Sequence, residues 1–462
     1  MDRPQLEALI LARDTSRVLP WLRRLGKKTR RDPELLAWVC DAYRRLGLYG
    51  PGFKLVGPTT AIKRVEPTDS MAGTRLLWAA RFLNLLGASP YALQLAERIR
   101  PVTWSDHRIL GNIFLTNFEH ARALPFFERM WKLCPAQERS AYAARLSRID
   151  WADALDGVGR IAEAISAVQG VQAESTEPYA QAMALQAQGE YLARAGKYSE
   201  AQEKLHQSAN LFPRQDDTPD HAYLLKWQAY VEGKRGDSEQ ARRYFARALA
   251  ILQISSQRAE AWLDVHRLRH ELGFLSAEEA TQLGRYPGLA PGLRKLLPEA
   301  QPVTRRRSFV IDFHRTEWSF QGRRHYGLDL ELRLLGNLAA AHPWGIPAER
   351  LKPLLWPDDL YSYSQLSERL RKILARIPSR FACEVQNENG FLRIQSKDIQ
   401  VIPGSGTGRP SFLEGRGAFT AQEMGEAYTL QRTQRAQVLQ LWLKKGWITR
   451  EGHAARPIYR VE

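Results

Sequence analysis

Three cysteines in 462 residues, Cys40, Cys134 and Cys383, are too few, too scattered and odd in number for a disulfide framework or a cysteine metal site. Long apolar runs are missing as well. None approaches the ~18 residues that a membrane span requires, so no membrane segment is expected. The N-terminal stretch MDRPQLEALILARD scatters acids and bases through a short apolar run and does not read as a secretory signal. With unpaired cysteines, this makes a reduced, cytoplasmic setting the expectation. Catalytic signatures are absent too: there is no His-Glu-x-x-His, no paired-cysteine motif, no Gly-x-Ser-x-Gly and no Walker loop. Neither enzyme activity nor a cofactor is expected. His266 and His270 stand four apart on a helical pattern, but no third ligand lies nearby, and a metal site is not expected. Acid is the scarcer charge, with 50 Asp and Glu against 67 Lys and Arg, a formal charge of +17 and a pI near 9.9. Such a balance points to an acidic partner. From Pro302 onward, 25 Lys and Arg face 16 Asp and Glu, a net of +9, against +8 for the nearly twofold longer stretch before it.

What the chain does contain, from residue 1 to about 300, is helix after helix. The clearest unit is 182–213, where Gly189, Leu192, Gly196, Tyr198, Ala201, Leu205 and Pro213 follow the pattern of an antiparallel helix pair. The small residues let the two helices approach, the large ones fill the gap, and the proline ends the second helix. The next unit repeats this with Gly236, Ala241, Phe245 and Ala248. Weaker copies are marked by Gly111, Phe118, Ala123, Phe127 and Pro135, by Gly159 and Ala164, by Gly87 and Ala92, and by Gly47. These units resemble a tetratricopeptide-like solenoid of roughly six to eight helical hairpins, an architecture that implies a surface for a protein or peptide partner or a small effector. A structural arm or a homodimerisation body is the plainer reading of the same pattern. The basic run at 27–31, KKTRR, falls between helices and reads as a solvated turn.

Pro and Gly interrupt the helical pattern at about 286–307, and Arg305, Arg306 and Arg307 mark the entrance to a more basic region. The stretch 403–417, PGSGTGRPSFLEGRG, has the composition of a flexible linker; GSGTG within it lacks the Gly-Lys-Ser/Thr of a phosphate loop. The expected organisation is therefore mainly α: a helical-repeat solenoid over 1–300, an α+β unit over 301–402, a Gly-rich linker over 403–418 and a second α+β unit over 419–462.

In the first α+β unit, residues 308–328 alternate as two short strands around Gln321-Gly322, and two helical stretches follow between Leu328 and Leu355. Leu366, Leu370, Ile373, Leu374 and Ile377 then share one stripe of a helix, which Pro378 is expected to stop. Arg369, Arg371, Lys372 and Arg376 fall on its other faces. Strands are expected at 381–385 and 390–394, joined by the turn chemistry of Asn387-Glu388-Asn389-Gly390. The stretch 308–395 resembles an OmpR-type winged-helix effector domain of bacterial response regulators. The landmarks are Leu330–Leu335, Trp356, the LRKIL run at 370–374 and Gly390-Phe391-Leu392-Arg393. It departs from that family in carrying Gln365 and Ser367 where aliphatics are usual, which leaves the rotation of the recognition helix open.

In the last segment, Thr420 and Glu423 form a capping box ahead of a short helix. A second helix spans about 430–445 with Leu439, Trp442 and Leu443 inward, and strands flank Gly452–Arg456. Gly446-Trp447-Ile448 and Arg456-Pro457-Ile458-Tyr459-Arg460 resemble the helix-turn-helix and wing of small bacterial repressors. The usual preceding helix has no room here, so this half-domain is expected to borrow core from its neighbour.

The two resemblances imply a bacterial regulator whose partner is double-stranded DNA. Base contacts would come from Gln365, Arg369, Lys372 and Arg376 on one helix and from Gln431, Gln434 and Arg435 on the other, with Arg371 and Arg432 beside them. Asn389, Arg393, His453 and Arg456 would approach the backbone from the wings. A protein-interaction scaffold whose winged units bind protein is the rival reading, and RNA binding by the basic helical body is a third.

Overall fold

The computed structural model describes residues 9, 15–29, 32–57, 70–135, 142–212, 219–254, 259–297, 309–321, 323–342, 344–356, 363–381, 383–388, 391–394, 399–402, 408–451 and 457–462. Helix α1 (Thr15–Lys28) is followed by seven helical hairpins among these residues. They are α2–α3 (Pro33–Arg45, Tyr49–Val56), α4–α5 (Ser70–Leu85, Ser89–Ala96), α6–α7 (Trp104–Thr116, His120–Leu133) and α8–α9 (Tyr142–Gly157, Ile161–Glu174). The remaining three are α10–α11 (Pro178–Arg194, Tyr198–Leu211), α12–α13 (Pro219–Arg235, Ser238–Ile254) and α14–α15 (Ala259–Glu271, Ala277–Leu283). Each first helix packs on its own second helix and on the first helix of the next hairpin, and the second helix also touches that next first helix. This two-layer stacking is tetratricopeptide-like.

The small-to-large pattern of the sequence explains the packing. A Cβ on Gly189 of α10 would stand 2.6 Å from Leu205 of α11, and one on Gly111 of α6 would stand 2.9 Å from the ring of Phe127 on α7. Both partners are fully buried, so filling either glycine would overpack the pair by about 1–3 kcal/mol. Six of the seven hairpin turns pass through a glycine at positive φ, such as Gly196 at 77°; the turn between α6 and α7 instead holds Phe118 at 60°, a costly conformation for a residue with a Cβ.

By contact density the chain forms two compact units, and they do not follow chain order. The first comprises Met1–Gly284, Gly288–Glu299 and Pro347–Arg369; the second comprises Arg285–Pro287, Ala300–Ile346 and Leu370–Glu462. In the first unit, the short helix α16 (Pro291–Lys295) lays Gly292 against the backbone of Asn117 and Phe118, where any side chain would meet the carbonyls. A Cβ on Gly288 would stand 2.8 Å from the Gly87 carbonyl oxygen.

The second unit begins with β1 (Phe309–Asp312), β2 (Glu317–Phe320) and β3 (Arg323–Tyr326), then α17 (Leu330–Ala340) and β4 (Ile346–Pro347). Helix α18 (Ala348–Leu355) groups with the repeats. Its Arg350 is 1% exposed and donates to the Gly288 carbonyl at 3.0 Å. Helix α19 (Tyr363–Leu374) crosses the division between the units, and α20 (Ile377–Phe381), β5 (Val385–Glu388), β6 (Phe391–Ile394) and β7 (Ile399–Ile402) follow. One sheet has the order β3-β2-β1-β7, with β7 parallel to β1, and a second has the order β4-β6-β5. Pro378 does not stop α19. That helix ends at Leu374, and Pro378 lies in the first turn of α20, where its missing N–H leaves no bond unmade. The expected strand at 381–385 shifts to 385–388 because Phe381 belongs to α20 and stacks on Phe309 at 5.7 Å.

The last part contains β8 (Ala418–Thr420), α21 (Ala421–Ala427), α22 (Arg432–Lys444), β9 (Ile448–Glu451) and β10 (Ile458–Val461), with sheet order β8-β10-β9. The capping box is present: Glu423 N–H donates to Thr420 Oγ1 at 3.2 Å, and the Thr420 N–H donates back to the Glu423 carboxylate at 2.6 Å. The stretch expected as linker behaves differently in its second half. Ser411–Leu413 form a 3₁₀ turn, and Phe412 and Leu413 are buried with Phe419, Met424, Tyr428 and Trp442. Tyr326 of β3 adds its ring at 5.6 Å from Tyr428 and 5.4 Å from Trp442. Glu317 of β2 accepts from Ser411 N and Oγ, each at 2.7 Å, and from the Tyr428 hydroxyl. The last segment thus shares its core with β2, β3 and the 411–413 turn.

Candidate functional site

The periodicity of α19 decides which of its residues meet solvent. Leu366, Leu370 and Ile373 are buried on one side, while Gln365, Glu368, Arg369, Arg371, Lys372 and Arg376 are exposed. Gln365, Arg369, Arg371 and Lys372 therefore share its polar side, and Arg376 lies just past its end at Leu374. Arg376 stands 3.5 Å from Glu331 at the start of α17, and Arg380 pairs with both Asp329 and Glu331. The hairpin β5–β6 follows with Val385 opposite Ile394 and Glu388 opposite Phe391. Its Arg393 does not extend from the hairpin: half-buried, it donates from Nε to the Trp344 carbonyl at 3.3 Å and lies against Gly345. Asn389, His453, Arg456 and the triplet Arg305–Arg307 fall outside the described residues.

Helix α22 is arranged differently. Gln431, Arg432 and Gln434 are exposed, but the Gln434 side chain accepts from the Gln431 N–H at 3.0 Å and so caps the helix. Arg435 is half-buried, folded over Gly425, and its Nε donates to the Leu430 carbonyl at 2.9 Å. Beside this helix runs a groove of about 280 Å³ lined by Tyr326, Gly327, Leu430, Gln434, Gln437, Val438 and Leu441.

The interior of the repeats supplies a feature the sequence reading missed. The first helices of successive hairpins bring charged residues together. Lys226 of α12 and Arg267 of α14 both hold Asp264, at 2.5 and 2.7 Å, and all three side chains are less than a tenth exposed. Burial alone would raise the Asp264 carboxyl, yet the Arg267 and Lys226 charges hold it below the ordinary carboxylate range. Arg194 of α10 pairs with Asp156 of α8 at 2.7 Å and with Glu190 at 2.8 Å, and lies 5.2 Å from the ring of Trp227. Burial pushes Asp156 up to about 6 despite Arg194. The Tyr191 hydroxyl donates to Asp153 at 2.5 Å, and burial, then the Glu190 charge, raise the Asp153 carboxyl well above its usual value. His120, which lies over Gly157, is pushed down to about 4 by burial and then by Arg194. The sequence held a signal for this layer: single charges such as Lys226 and Asp264 sit inside otherwise apolar helical runs, where a charge is rarely buried unless paired.

His266, half of the possible metal pair, meets the Trp262 ring edge-on with centroids 4.2 Å apart. Among the described residues no group of three or more His, Cys, Asp or Glu is placed to hold a metal ion, and no helix is long and apolar enough to cross a membrane. No protein-family model and no curated protein matches the chain. A similar solved structure is that of a Rap protein complexed with competence and sporulation factor. The similarity has a TM-score of 0.42 and 12% sequence identity, and covers 63% of this chain and 95% of that one.

Proposed function

We propose that the chain is a cytoplasmic bacterial transcriptional regulator that acts by binding, with an OmpR-type winged helix reading duplex DNA and the repeats receiving a protein, peptide or small effector. The observation that carries this reading is the polar side of α19, where Arg369, Arg371 and Lys372 are exposed opposite a buried Leu366-Leu370-Ile373 stripe. A helix of this kind fits the ~12 Å major groove, and guanidinium and ammonium groups supply affinity through phosphate neutralisation and counterion release. Gln365 and Arg369 offer donors suited to adenine and guanine edges. The test is a mobility-shift series in salt with wild type and an Arg369→Ala/Arg371→Ala/Lys372→Ala protein. Loss of these three cations would lower the slope of log affinity against log salt by up to about 3 and weaken binding roughly a hundredfold at moderate salt. An unchanged slope and affinity would sink the reading.

One observation favours the scaffold alternative for the second unit. The groove beside α22 is lined by Tyr326, Leu430, Val438 and Leu441 as well as by amides, and Leu441 is 41% exposed. Such a mixed, weakly charged surface suits a protein partner better than a phosphate backbone.

A further inference from the structure

Near the start of the solenoid the same layer of first helices carries charge that is not balanced. Arg44 of α2 is held by Asp41 one turn away at 2.8 Å. Arg81 of α4 lies near Arg44, Arg108 of α6 and Asp150 of α8, and Arg108 lies near Asp41, Arg44 and Asp150, which accepts from Asn112 at 2.8 Å. Nη1 of Arg81 and Nε of Arg108 are both buried with no hydrogen-bond acceptor. Four guanidinium groups, those of Arg44, Arg45, Arg81 and Arg108, here face the carboxylates of Asp41 and Asp150. Burial, and then the Arg44 charge, push the Arg81 guanidinium down to about 9, with Asp150 acting in the opposite sense. Further along the layer, Lys226 and Arg267 have Asp264 between them, and Arg267 also bonds Glu271. The fold can thus compensate a buried cation in this layer, and at Arg81 and Arg108 it leaves donors over. A trapped water could satisfy an N–H, but it would not offset the charge.

We propose that Arg81 and Arg108 form an oxyanion site on the inner layer of the repeats, taking the carboxylate or phosphate group of a small ligand. Planar guanidinium forks bind either group with paired, charge-assisted hydrogen bonds. The site names a chemistry for the effector of the proposed regulator, and it stands or falls without reference to DNA.

The test is thermal unfolding of the full chain in sodium chloride, sodium phosphate or sodium acetate at matched ionic strength. Wild type should show a saturable rise of about 2 °C or more with one anion over chloride, and the anion that acts tells phosphate from carboxylate. Arg81→Met should be at least as stable as wild type in chloride, because it removes an enclosed N–H group that has no acceptor, and should lose the anion response. Arg108→Gln should lose it as well, and Arg371→Ala, on α19, should keep it. No anion effect on wild type, a full effect on both Arg81→Met and Arg108→Gln, loss of the effect in Arg371→Ala, or an Arg81→Met protein less stable than wild type in chloride would each overturn the proposal.

Discussion

Lys226, Asp264 and Arg267 lie almost wholly buried between the first helices of the last two hairpins, whereas Arg369, Arg371 and Lys372 are exposed along one side of α19. The first group carries a net +1 and the second +3, but composition does not say where either lies. They differ in what removing a member exposes. A buried cation that loses its carboxylate keeps the full desolvation penalty, while an exposed one is rehydrated at little cost. The comparison therefore predicts that charge in the repeats governs stability and that charge on α19 governs binding.

The sharpest way to break that comparison is Asp264→Ala. It leaves Lys226 and Arg267 without their shared carboxylate, and a loss of about 3–5 kcal/mol is expected in chemical denaturation of the repeats. Arg371→Ala should change the same measurement by no more than about 0.5 kcal/mol. A mild Asp264→Ala phenotype, within 1 kcal/mol of wild type, would mean that the interior is far wetter than its burial implies.

A second test uses two groups of the same interior that titrate in opposite senses. The folded protein takes up a proton on His120 near pH 4 and the unfolded chain near 6.5, so this residue withdraws stability as pH falls through that interval. Asp156 takes up its proton at about 6 when folded and near 3.8 when unfolded, so it adds stability as pH falls from about 6 toward 4. Arg194, Asp264 and Arg267 face His120, and Arg194 and Glu190 face Asp156. Relative to wild type, His120→Gln should gain roughly 1–2 kcal/mol between pH 7 and pH 5, and Asp156→Asn should lose a similar amount. Parallel profiles for the two variants would show that neither group titrates in this range.

The sequence made the repeats legible through Gly189 and Leu205 or Gly111 and Phe127, because a small residue facing a large one leaves a periodic mark. It made α19 legible because Leu366, Leu370 and Ile373 recur at helical spacing with cations between them. The charged interior was not legible as a site. Asp41, Arg81, Arg108 and Asp150 come from four different hairpins, and nothing in their local spacing says that stacking brings them together. The limits of the last α+β unit were obscured for another reason. Phe412 sits among glycines that read as linker, yet its ring packs 5.0 Å from Phe419 and 5.9 Å from Tyr428. Composition averages over such a residue, whereas packing does not.

The smallest expected effect lies on α22, where Arg435 separates charge that reaches outward from charge that only looks available in a helical projection. Its Nε bonds the Leu430 carbonyl at 2.9 Å, and its stem covers Gly425 between α21 and α22. Arg435→Ala would free that carbonyl at a partly exposed helix start and open a gap over Gly425, a loss of about 0.5–1.5 kcal/mol. Because the guanidinium is turned toward the backbone, nucleic-acid affinity and its salt slope should match wild type in the same assay that weakens the triple α19 variant. If Arg435→Ala instead lowers the slope by about 1 while leaving stability intact, the side chain leaves Leu430 on binding, and α22 joins α19 as a DNA-contacting helix.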